Sequence, residues 1–99
     1  MEKTLSEMKY AAEGEALKKS AWPRCDQLAS DLAKRGPDAL PALQDALSSR
    51  THHVRSACLR SIKSINEDLA KALAEKFLKD RAYEVRETAA VILGVEIPN

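Results

Sequence analysis

Leu78-Lys79-Asp80-Arg81-Ala82-Tyr83-Glu84-Val85-Arg86-Glu87-Thr88-Ala89-Ala90-Val91-Ile92-Leu93-Gly94 is the stretch on which the fold turns. Val85, Ala89, Ile92 and Leu93 recur at helical spacing and would share one face of a helix. Gly94 follows the last of them and can take the left-handed conformation that ends a helix. Upstream, Leu69, Leu73 and Phe77 or Leu78 mark a second apolar stripe. The segment therefore predicts two short helices joined by a turn containing Asp80 and Tyr83.

The same pattern recurs earlier in the chain. Val54-Arg55 lies 31 residues before Val85-Arg86, and Cys58 and Ile62 stand where Ala89 and Leu93 stand. Leu47 and Leu78 precede their pairs by the same interval. A fainter copy places Leu17, Leu28 and Leu32 opposite Leu47, Cys58 and Ile62, with Gly36 matching Asn66, both able to take the left-handed conformation that ends a helix. The chain is expected to be one domain, residues 1–99, built from units of roughly 1–35, 36–65 and 66–97. In the second unit Pro37 opens a helix with Leu40, Leu43 and Leu47, and Thr51 is placed to cap the next. In the first, Leu5, Met8, Ala12 and Ala16 form the expected stripe, ending at Ser20-Ala21-Trp22-Pro23. No stretch alternates with period two, so the predicted class is all-α.

Composition agrees. Hydrophobic residues make up 44% and charged residues 31%, which suits a folded chain, while aromatics at 4% suit helix-on-helix packing better than a sheet. A net charge of +1 provides no global field for nucleic acid or an anionic membrane. The first residues show no basic segment followed by an apolar one, and no run approaches the roughly 18 apolar residues of a membrane span. With Cys25 and Cys58 far apart, the expectation is a reduced cytoplasmic protein without disulfides, metal or cofactor.

The segment from Leu78 to Gly94 resembles HEAT repeats: a turn carrying an Asp, then Glu84-Val85-Arg86, small residues, and a closing Leu93-Gly94. The short period is similar to the bacterial and archaeal variety whose profile is named after the phycobilin lyases. The resemblance implies an α-solenoid, a right-handed superhelix of about three antiparallel helix pairs, with the second helix of each pair lining the concave side. It implies protein binding as the commonest activity. It also implies that Asp80, Arg86 and Arg55 tie neighbouring repeats together.

Chemistry is sparse. His52 and His53 are adjacent, and adjacent helical residues point about 100° apart, so they are read as turn residues rather than metal ligands. Cys58 matches Ala89 and is read as a core filler, whereas Cys25 matches Arg55 and is read as partly exposed. No glycine-rich phosphate loop is present, and no catalytic constellation emerges. Binding surfaces can still be constructed from helix geometry. With Val54, Cys58 and Ile65 facing the core, the opposite face of that helix carries Ser56, Arg60 and Lys63, with Leu59 at its edge. Glu87 and Asp26 are the flanking equivalents, giving a mixed concave face for a protein partner. Trp22, His52 and Tyr83 share one repeat position and would form a rim. Val91, Val95 and Ile97 form an apolar end suited to a second copy or another partner. The expected function is a non-catalytic protein-interaction module, an adaptor, regulator or assembly subunit. Two alternatives are nucleic-acid binding through Arg55, Arg60 and Lys63, and an accessory role to a cofactor-attachment lyase.

Overall fold

The computed structural model of the chain describes residues 9–98. Leu5 and Met8, expected to start the first apolar stripe, lie outside the described residues. The described residues form six helices in order: α1 (Ala11–Lys18), α2 (Arg24–Ala33), α3 (Leu40–Ala46), α4 (His52–Ile65), α5 (Glu67–Phe77) and α6 (Tyr83–Leu93). A 3-10 turn, Gly36–Ala39, leads into α3, and no strand occurs among the described residues. The class is all-α, as the periodicity predicts.

The second helices form one row, α2 against α4 and α4 against α6, while α1 packs on α3 and α5 covers α4 and α6. The molecule extends 40 × 27 × 24 Å. Leu17, Leu43, Val54, Leu59, Ile62 and Val85 are fully buried along the stack. Each such side chain stabilises the fold by about 1.5–3 kcal/mol through loss of water contact. Alanines at Ala39, Ala42, Ala46, Ala70 and Ala74 are buried between the helices, where larger side chains would hold the backbones apart. No helix of the described residues is long and apolar enough to cross a membrane.

Four local expectations are corrected. In α1 the buried residues are Gly14 and Leu17, while Ala12 and Ala16 are exposed. The phase is set by close approach to α3: a Cβ on Gly14 would stand 3.0 Å from that of Ala42. Asn66 is extended (φ −149°) rather than left-handed. It caps the start of α5, its Oδ1 accepting from the Leu69 amide at 3.0 Å. Thr51 does sit at the cap position of α4, but its hydroxyl makes no capping bond; its amide donates instead to Ser49 Oγ at 3.2 Å. Cys25 is fully buried, because α4 packs against α2 where a sequence match to Arg55 suggested exposure. Gly36 and Gly94 do take the expected left-handed conformation (φ 78° and 72°).

Candidate functional site

The interface between repeats positions the residues of the open face. Arg55 projects from the first turns of α4 toward the turn before α6. Its Nε and Nη2 donate to the two carboxylate oxygens of Asp80, each at 2.9 Å, and its Nη1 donates to the Ser49 carbonyl at 2.9 Å. The carboxylate also accepts from the Ala82 amide at 2.8 Å. Arg86 donates to the Asp80 carbonyl at 2.7 Å. Burial by itself pushes the Asp80 carboxyl up, but the Arg55 and Ala82 hydrogen bonds and the Arg55 charge outweigh it and hold the group below its ordinary value. Both side chains of the pair are 9% exposed, so this is an internal fork-to-fork clamp between two units.

A second chain of polar groups runs across α2, α4 and α6. Arg60 donates to Asp26 Oδ1 from Nη2 and to Ser56 Oγ from Nη1, both at 2.8 Å. Ser56 Oγ lies 2.6 Å from Thr88 Oγ1, and Thr88 Oγ1 donates to the Glu84 carbonyl at 2.9 Å. A hydroxyl has one proton, and that of Thr88 is already given to Glu84. Ser56 must therefore donate to Thr88 while accepting from Arg60. The result is a directed relay, Arg60 to Ser56 to Thr88 to the α6 backbone, anchored at its other end on α2.

This relay corrects the constructed face. Ser56 was placed in the open and is fully buried, as is Leu59. Helix α4 has α2 and α6 on its flanks as well as α3 and α5 beneath, so only a narrow strip remains open. Of the five residues expected there, Arg60, Lys63 and Glu87 are exposed, and Asp26 is half-buried at the other end of the Arg60 ion pair. Arg60, Lys63, Glu87, Thr88, Val91 and Ile92 line a groove of about 430 Å³ between α4 and α6. Arg55 does not join it. With Arg55 buried against Asp80 and Arg60 held by Asp26, the three cations do not form one exposed basic patch. Lys63 has no ion-pair partner among the described residues.

Along the rim, Trp22 (60% exposed), His52 and Tyr83 (57% exposed) are all at the surface. His53, which the sequence did not single out for the rim, links the first two. Its ring lies 6.0 Å from that of Trp22 and 4.1 Å from that of His52. Tyr83 pairs instead with Arg86 of its own helix, whose guanidinium is 5.8 Å from the ring. The adjacent histidines were expected to diverge, yet their rings lean together. With Glu84, whose Oε1 is 3.0 Å from His53 Nδ1, they bring three ligand atoms within 4.8 Å of one another. Backbone direction alone misled, since two long rings can bend toward each other above the first turn. At the C-terminal end Val91 and Val95 are exposed at 67% and 52%, whereas Ile97 is half-buried.

Neither cysteine is presented as a nucleophile. Both are fully buried, and burial pushes both thiols up, Cys58 the more strongly, so the thiolate is suppressed at neutral pH.

The family model for HEAT repeats matches residues 15–94. No curated protein and no solved structure shows significant similarity to the chain. HEAT repeats generally mediate protein–protein interaction and are typically non-catalytic scaffolds. Helix pairs of one period, joined across the second and third units by the Arg55–Asp80 clamp and matched over most of their length by that model, identify the chain as a member of the HEAT-repeat family.

Proposed function

We propose that this chain is a non-catalytic interaction module that seats a protein partner in the groove between α4 and α6. The observation carrying this reading is the groove's construction. Its floor is fixed by the Arg60–Ser56–Thr88 relay, while its walls offer Lys63, Glu87 and the exposed apolar Val91. A pre-ordered floor means that little ordering entropy is lost on docking. Lys63 suits an acidic side chain of the partner, and Val91 with neighbouring Val95 suits an apolar anchor beside it. Arg60, Glu87 and Asp26 border the seat, and the Trp22, His52 and Tyr83 rim lies at the N-terminal ends of the same helices. Val91, Val95 and Ile97 end the surface, and the protein covering them is either a different chain or a second copy; sedimentation over a concentration series separates these.

The test is differential. Native and Lys63→Glu, Val91→Glu baits are incubated in host extract, with Ala72→Glu on the exposed side of α5 as control. A protein retained by the native and control baits and lost from the groove variant, with helical content unchanged in all three, is the expected result. Equal retention by all three moves the binding surface elsewhere.

A further inference from the structure

We propose that His52, His53 and Glu84 form a binding site for a divalent ion of the zinc class, bridging the second and third units at the rim. His52 and His53 are the first two residues of α4, and Glu84 is the second residue of α6. His53 and Glu84 stand 31 residues apart, one repeat period, so stacking the units brings them side by side. Three features point to the ion's class. The donors are two imidazole nitrogens and one carboxylate oxygen, a set that suits zinc, copper, nickel or iron; magnesium and calcium prefer oxygen alone. The spacing is close to what such an ion needs. Zinc holds nitrogen and oxygen ligands at about 2.0–2.2 Å, so tetrahedral partners lie about 3.5 Å apart. His53 and Glu84 are already at 3.0 Å, and the whole set lies within 4.8 Å, leaving a small swing to the exposed His52 ring. Three protein ligands also leave a coordination position for water or a group on a partner.

The N-terminus of α4 opposes a cation weakly, and the Glu84 carboxylate offsets it. In the first unit the equivalent of His53 is Pro23, which offers no ligand; that unit contributes the Trp22 ring instead, 6.0 Å from His53. A bound ion would replace one hydrogen bond between units with a coordination bridge, stiffening the joint between them.

Trp22 is the single tryptophan, so the site carries its own reporter. Zinc chloride is titrated into the reduced full chain by calorimetry, and copper(II) is titrated while Trp22 emission is followed. The expected results are one-to-one zinc binding in the micromolar range and quenching by copper. His52→Ala and Glu84→Gln should each weaken zinc at least about tenfold and remove the quenching at matched copper, with unchanged far-ultraviolet circular dichroism. The His52 side chain makes no hydrogen bond to a described residue, so His52→Ala decides the matter even if Glu84→Gln disturbs folding. Zinc binding absent up to millimolar concentration, or affinity unchanged in His52→Ala, overturns the proposal; unchanged affinity would assign the ion to other groups.

Discussion

Removing the carboxylate of Asp80 strands the Arg55 guanidinium inside the protein with only the Ser49 carbonyl for company. Breaking one half of a buried pair in this way typically costs about 3–5 kcal/mol, far above the value of an exposed ion pair. Asp80→Ala should therefore lower the chemical-denaturation midpoint sharply, and Lys71→Ala, which breaks an exposed pair with Glu67, should not. The clamp also has a pH signature. The folded state holds the Asp80 carboxyl below its ordinary value of 3.8, so its contribution is complete above that value. It is lost as pH falls from there through the lowered folded value. Native protein should lose melting temperature on acidification below about pH 4 more steeply than Asp80→Asn, which starts less stable and has no such proton to take up. A parallel decline in both would show that the pair contributes nothing. The Arg55–Asp80 tie was legible in the resemblance to HEAT repeats, since the pattern brings a turn aspartate next to the preceding unit's arginine. Arg86 was expected to join it, but bonds the Asp80 carbonyl within its own unit. Cys25 was not legible, because its partner surface on α4 belongs to another unit.

At the scale of the element, α4 shows where helix-face arithmetic stops. Val54, Cys58 and Ile62 fall on the core side as their spacing predicts. A helical wheel, however, assumes one buried face, and α4 is surrounded on most of its circumference. Ser56 and Leu59 are buried for that reason, and the relay gives Ser56 its polar partners. Thr88→Val removes the acceptor for the Ser56 proton and should cost about 1–3 kcal/mol. Ser56→Ala with Thr88→Val should cost less than the two single changes added together, since neither hydroxyl is then stranded. Additive losses in a thermal-denaturation cycle would mean that the two hydroxyls are not bonded. Gly14 is a second case. Its role is legible only once α1 and α3 are laid together, because a missing side chain carries no periodic signal.

The whole molecule was readable from period: a 31-residue recurrence of Val-Arg predicted stacked helix pairs, and stacked helix pairs are what the chain forms. The open face was readable in part. Lys63 and Glu87 are exposed on the side helix geometry gave them, Val91 is exposed beside them as part of the apolar end, and Arg60 is exposed but already engaged. The convergence of His52, His53 and Glu84 was not readable, since it depends on ring orientations above a turn and on a unit 31 residues away. The strip between α4 and α6 is the proposed seat of a partner. Site-specific photocrosslinking probes that seat, with a photoreactive phenylalanine analogue placed at Val91 in one variant and at Ala72 on α5 in another, each expressed in the native host. The expected result is a discrete crosslinked adduct from position 91, removed by adding Lys63→Glu, and none from position 72. An adduct from position 72 with none from position 91 would contradict it.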